Sequence, residues 1–235
     1  MARVGMNSDF HCGGSLISDY YVLTAAHCTQ IDLPINSVRL GEWNSSTDPD
    51  CQDGICAPPY QDIKVVEVIR HEEYIYSNGF IYNDIALLRL ESPPNISSFV
   101  RPVYLPYGAA MTKDFTSEDV FVAGWGLLNT NDITPTILQG LNQKVLDDSI
   151  CREIYVNHIN PEENICVGGY IGYSLCNGDS GGPLTWKGSF DADVSDRNYL
   201  LGVASFGVYP CGVAVASAFA KTTFFMKWIL DHIRE

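Results

Sequence analysis

A chain of 235 residues that is 46% hydrophobic and 18% charged has a globular profile and room for one large all-β domain or two small ones. Its formal charge of −14, with no run of lysine or arginine, makes nucleic acid and anionic membrane poor partners, because binding either rests on basic patches. No apolar stretch approaches the length of a membrane span, and the longest helix-like one, "FFMKWILDHI", is interrupted by charge.

In chain order the predicted strands are "YYVLTAA", "IKVVEVI", "DIALLRL", "VFVAGWG" and "YLLGVASFGV". Each is short, rich in β-branched or aromatic residues, and bounded by Gly, Pro, Asn and Asp. Regularly spaced short strands predict a β-barrel or sandwich. A soft boundary lies at "RPVYLPYGAAMTKD", where two prolines and a polar stretch separate two strand-rich halves, and two barrels joined by a crossing segment fit that pattern. One helix is predicted, from Thr222 to Arg234, with Phe225, Ile229, Leu230 and Ile233 on its apolar face. There is no internal repeat and no low-complexity segment.

The eight cysteines (Cys12, Cys28, Cys51, Cys56, Cys151, Cys166, Cys176 and Cys211) are dispersed, without a C-x-x-C pair or zinc spacing. They read as a disulfide framework of open connectivity and imply an oxidising compartment. Sequons at Asn44 and Asn95 point the same way, so secretion is expected. No apolar signal-peptide core follows Met1, however.

Chemistry concentrates in three windows. In "SLCNGDSGGPL", Asp179 stands directly before Ser180 with glycines on both sides. Alone, Gly-Asp-Ser is ordinary turn chemistry. Serine is a weak nucleophile unless a base takes its proton and a third group orients that base. His27 in "LTAAHC" follows an apolar strand, and Asp84 in "NDIALLRL" opens a strand apolar enough to bury it. Singly, His27 also reads as a core histidine and Asp84 as a strand-start cap. A buried acid needs a partner, and an imidazolium is a suitable one. His11, His71, His158 and His232 have no comparable setting and read as surface or structural residues.

Together and in that order, "LTAAHC", "NDIALLRL" and "CNGDSGGPL" resemble the chymotrypsin/trypsin family of serine endopeptidases. The resemblance runs from "HCGGSLIS" through "VAGWG" and "VASFG" to the final helix. It implies an all-β fold of two six-stranded antiparallel barrels with a C-terminal α-helix. The first barrel is expected over about 1–105, the second over about 118–221 and the helix over 222–235. It implies Ser180 as nucleophile, His27 as general base and acid, and Asp84 as the orienting acid. The Gly178 and Ser180 backbone N–H groups become the oxyanion hole. Ser205, Phe206 and Gly207 become the substrate rim, and the implied disulfides are 12–28, 51–56, 151–166 and 176–211. A serine esterase of the hydrolase-elbow type runs Ser, acid, His, the reverse of the order here.

The close pair Cys51/Cys56 resembles the clip-domain proteases of arthropod haemolymph, which act in melanisation and Toll-type cascades. Protein substrates, serpin-type inhibitors and an upstream activating protease are the implied partners of a monomeric enzyme. Tyr104 stands where many of that branch carry a tethering cysteine. The pocket-floor position, six before the nucleophile, is Ser174, which does not neutralise a basic P1 side chain. With Leu175 beside it and Gly207 and Ser217 as walls, the expected preference is for apolar P1 residues. The acidic loop from Glu42 to Asp53 overlaps the family's calcium loop, although acidic loops are more often simply solvated. In active members the acid before the nucleophile pairs with an α-ammonium released before an Ile-Val-Gly-Gly type sequence. No such sequence occurs here, so the expectation is a piece of a longer chain. The rival is a non-catalytic homologue acting as a binding cofactor.

Overall fold

The computed structural model describes residues 1–30, 32, 34–77, 79–128, 133–156, 158–168, 175–190, 195–208, 211 and 216–234. The strands in the first half are β1 (Ala2–Met6), β2 (Asp9–Leu16), β3 (Tyr21–Thr24), β4 (Ser37–Leu40), β5 (Cys51–Gln52), β6 (Ile55–Cys56), β7 (Gln61–Arg70), β8 (Ile75–Ser77), β9 (Phe80–Tyr82) and β10 (Ala86–Leu90). Those in the second half are β11 (Asp119–Gly124), β12 (Gln139–Val145), β13 (Asn164–Gly168), β14 (Pro183–Gly188), β15 (Arg197–Gly207) and β16 (Ala216–Lys221). Two antiparallel barrels close in the orders β1-β2-β3-β10-β7-β4 and β11-β12-β13-β16-β15-β14. Closure leaves neither sheet an open edge. The pairs β5–β6 and β8–β9 are separate hairpins beside the first barrel.

The apolar runs of the sequence form the barrel interiors. Leu23, Leu87, Leu88 and Leu90 are buried in the first, and Val122, Leu184, Leu201 and Phe219 in the second. Between the barrels, Val103 donates to Leu16 at 2.9 Å, and Tyr104 exchanges backbone bonds with β15, donating to Asn198 O at 3.2 Å and accepting from Leu200 N at 2.8 Å. All four implied disulfides are present: 12–28, 51–56, 151–166 and 176–211.

Among the described residues two α-helices form, not one. The unpredicted α1 (Asp148–Ile154) is too short for helical periodicity to show in sequence. Asp147 caps it by accepting from Ser149 N at 2.9 Å, and Cys151 anchors it to β13 through Cys166. The terminal helix α2 (Thr222–His232) packs its Thr222, Phe225, Met226 and Ile229 side chains inward. Leu230 is corrected: it is 48% exposed, because five residues beyond Phe225 it has turned away from that stripe. The helix stops at His232, with Ile233 already extended. No helix among the described residues is long and apolar enough to cross a membrane.

Candidate active site

His27 sits on a single 3-10 turn, Ala26–Thr29, that follows β3. The Cys12–Cys28 bridge ties this turn to β2, and Arg70 holds its far end by donating to the Thr29 hydroxyl at 2.8 Å and to the Thr29 carbonyl. Asp84, in the link between β9 and β10, is only 1% exposed. Its Oδ1 accepts from the His27 backbone N–H at 2.9 Å, and its Oδ2 lies 2.8 Å from His27 Nδ1. A carboxylate there selects the tautomer with the proton on Nδ1, leaving Nε2 as the basic nitrogen. A third donor is the Ser205 hydroxyl, which bonds Asp84 Oδ2.

Burial pushes the Asp84 carboxyl up, but the charge and hydrogen bonds of His27, with the Ser205 hydroxyl, outweigh it and hold the group below its ordinary 3.8. For His27 the same competition runs the other way. Burial pulls the imidazole down, while the charge and hydrogen bond of Asp84 raise it above 6.5.

Ser180 reaches this seam from the other barrel. Its carbonyl accepts from Gly13 N on β2 at 2.7 Å, and the next residue, Gly181, donates to Ala204 on β15 at 2.8 Å. Gly181 has φ +76°, and a Cβ on it would come within 2.2 Å of Thr24 Oγ1, so only glycine lets the loop press against β3 here. His27, Asp84 and the Ser180 loop thus meet at the junction of the barrels. Among the described residues, neither the Ser180 hydroxyl nor the N–H groups of Gly178 and Ser180 bond to a protein acceptor.

Asp179 points away from this network. Its Oδ1 accepts from Gly126 N at 2.8 Å and its Oδ2 from Cys176 N at 3.0 Å. Burial raises its pKa and the two N–H donors offset only part of that. Among the described residues no cation pairs with it. A cleft of about 240 Å³ opens beside it, lined by Gly126, Leu127, Leu128, Leu141 and Leu175.

A second cleft, about 220 Å³, joins Ser180 to the predicted rim of Ser205, Phe206 and Gly207, with Leu175 and the Cys176–Cys211 bridge on its walls. Ser217 is buried on β16 opposite Gly207, its Oγ 3.4 Å from where a Gly207 Cβ would stand. Ser174 lies outside the described residues. Tyr155, which the sequence reading did not single out, meets Phe206 edge-on at 5.1 Å and donates to Ala216 O at 2.8 Å. Ser205 is more than rim, since its hydroxyl faces Asp84.

In the acidic loop the carboxylates of Glu42 and Asp50 lie together. Glu42 is bound by Arg39 at 3.2 Å, and Arg39 is itself doubly bonded to Asp62 at 2.7 and 2.8 Å. Asp50 is buried and its oxygens accept from Trp43 N, Asn44 N and the Thr47 hydroxyl. Glu42 Oε1 is buried with no hydrogen-bond partner among the described residues, and the two carboxylates supply only part of the six or more oxygens calcium takes. In the sequons, Asn95 is exposed, while Asn44 is half-buried and its Oδ1 accepts from Ser46 Oγ at 2.7 Å.

A trypsin family model matches residues 1–229. The CLIP domain-containing serine protease HP8 of Bombyx mori is 38% identical over 235 residues, covering 96% of this chain and 62% of that protein. Melanization protease 1 of Drosophila melanogaster is 38% identical over 239 residues, covering 95% of this chain and 58% of that one. The solved structure of the Drosophila Grass clip serine protease of the Toll pathway aligns with a TM-score of 0.84 at 31% identity, over 98% of this chain and 67% of that one. The chain spans about three fifths of the length of the curated relatives it matches.

Proposed function

The chain belongs to the trypsin family of serine proteases, and from that premise we propose that it is an endopeptidase working through His27, Asp84 and Ser180. The observation that carries this reading is the buried Asp84, bonded to both the Nδ1 and the backbone of His27 at the seam where the Ser180 loop docks. His27 Nε2 takes the Ser180 proton as Oγ attacks the scissile carbonyl, then returns it to the leaving amine, and water repeats the cycle on the acyl-enzyme. Asp84 stabilises the imidazolium formed midway. The oxyanion is received by the Gly178 and Ser180 N–H groups, whose lack of protein acceptors among the described residues leaves them free for it. The Ser180 hydroxyl is not yet bonded to His27, and apo sites of this kind tighten when substrate docks.

The preferred P1 residue is apolar. Leu175 supports this by narrowing the cleft, as does the uncharged Gly207 on its wall, backed by the buried Ser217. The enzyme acts outside the cell on protein substrates in a melanisation or Toll-type cascade, under serpin-type inhibition. Four disulfides and the relatives' printed names support that placement, with glycans at Asn44 and Asn95. Asp179, held by two N–H groups, is the resting state of a switch. An α-ammonium entering the cleft beside it, after cleavage by an upstream protease, draws the carboxylate over and shapes the oxyanion hole.

A serine-reactive fluorophosphonate tests the mechanism. It should label the activated protein but not Ser180→Ala, and equal labelling of both rejects the triad. On a panel of P1-varied peptides, turnover after Leu, Met or Phe should exceed that after Arg. The reverse order rejects the specificity.

A further inference from the structure

We infer that Glu163 is a positioning residue for the catalytic acid: from the second barrel its carboxylate straps the Asn83–Asp84 turn of the first, and so aims Asp84 at His27. This rests on the reading of Asp84 as the triad acid and adds a residue 80 positions away from the turn it holds.

Glu163 is only 3% exposed, which for a carboxylate costs several kcal/mol unless donors meet it. Among the described residues no ion pair joins it to a lysine or arginine. Lys221, the nearest in the backbone network, sends its Nζ to Pro161 O at 2.9 Å instead. The Glu163 carboxylate accepts from the Asn83 backbone N–H, and less closely from Asn160 Nδ2 at 3.5 Å. Its own backbone is fixed, because its N–H donates to Asn160 O at 3.1 Å and its carbonyl accepts from Lys221 N at 2.8 Å. The strap therefore has a rigid base on β13 and β16.

The other end of the strap is a left-handed turn. Asn83 has φ +52°, a region asparagine enters more readily than most residues, and it immediately precedes Asp84. Its side chain donates to Glu73 O at 3.0 Å, and its carbonyl accepts from Ile85 N at 2.8 Å. Without the Glu163 bond the half-buried Asn83 N–H loses its acceptor and the turn is free to relax, carrying Asp84 off the His27 Nδ1 axis. Among the described residues, the charged group acting on the Glu163 carboxylate is Asp84. Burial pushes the Glu163 carboxyl above its ordinary range, and the nearby Asp84 charge pushes it the same way.

A bond that served only the barrel seam would change melting temperature and nothing at the imidazole. The test is therefore the low-field proton resonance of His27 Nδ1–H, read on the full chain, with kcat and KM on the activated enzyme. Glu163→Ala should weaken or shift that resonance and lower kcat about tenfold to a hundredfold at a KM within about twofold of wild type. Glu163→Gln keeps a carbonyl acceptor and should restore the resonance and bring kcat within about threefold of wild type. If the alanine variant does not fold, Glu163→Asp, which withdraws the carboxylate by one methylene, replaces it with the same expected losses. An unmoved resonance and kcat in a variant that merely melts lower overturns the inference. So does a glutamine variant as impaired as the alanine one. Should wild type take no fluorophosphonate, the peptidase reading fails by itself, while the resonance still decides the role of Glu163.

Discussion

Asp84 and Asp179 are the two carboxylates of the site, and both are drawn out of bulk water, yet the fold meets them differently. Asp84 receives a backbone N–H, an imidazole and a hydroxyl, one of them able to carry a positive charge. Asp179 receives two neutral backbone N–H groups. The first stays ionised below the ordinary carboxylate value, and the second is pushed above it by burial. The difference teaches that depth alone does not set a buried acid's state. A partner able to become a cation does, and in this chain only one of the two acids has one.

The widest split between them should appear in rate. Asp84→Asn keeps the shape but places an amide donor against His27 Nδ1–H, so the wrong tautomer is favoured and kcat/KM should fall by about 10⁴. The check is steady-state hydrolysis of an apolar-P1 substrate by folded material. A loss below tenfold would mean that Asp84 is not the orienting acid. Asp179 should instead respond to a missing partner. A short peptide with a free α-amino group, offered to the non-activated chain, should raise the fluorophosphonate labelling rate by about 10² to 10³, the worth of an oxyanion donor. Its N-acetylated twin should do nothing. If both or neither accelerate labelling, the switch reading of Asp179 is wrong.

A smaller effect belongs to Ser205. Removing its hydroxyl in Ser205→Ala takes one donor from Asp84, a hydrogen bond to a charged group worth about 1.5–3 kcal/mol, so kcat should fall at least about tenfold while KM moves little. A change confined to KM would return Ser205 to the rim role that the sequence assigns it.

Ser205 also marks where sequence legibility ends. His27 and Asp84 stand out because each is a lone polar residue against an apolar strand, and glycines on both sides single out Ser180. The side-chain direction of Ser205 was hidden, because β15 slips register between Ala204 and Phe206 and simple alternation fails there. Glu163 was hidden more deeply. It is one of two adjacent glutamates, and only the packing of one barrel on the other separates the buried Glu163 from the exposed Glu162. In the acidic loop the fold adds what composition does not show: Arg39 and three backbone or hydroxyl donors come to Glu42 and Asp50. Leu230 was misplaced by a single helical step.

The subtlest way to set the two acids apart is pH. A carboxylate whose folded pKa is depressed adds stability above its unfolded value and loses it as pH falls. Asp84 should therefore contribute nearly its full stability above 3.8 and lose it as pH falls below that value. Asp179 is raised, so its folded form holds its proton longer, and stability is lost as pH climbs from 3.8 through the raised value. Melting temperatures on the two sides of pH 3.8 should thus separate the acids. The deficit of Asp84→Asn against wild type should be nearly constant from pH 3.8 to 6.5 and shrink as pH falls below 3.8, whereas that of Asp179→Asn should shrink as pH rises above 3.8. Any constant offset from the new amides drops out, because the slope is what is read. His27 closes the window from above. Its raised pKa adds stability that is complete below 6.5 and disappears as pH passes the folded value, while catalysis needs the neutral ring and appears over that same interval. Activity and His27-linked stability should therefore cross in opposite directions above pH 6.5, and parallel curves would mean that the Asp84–His27 pair does not govern both.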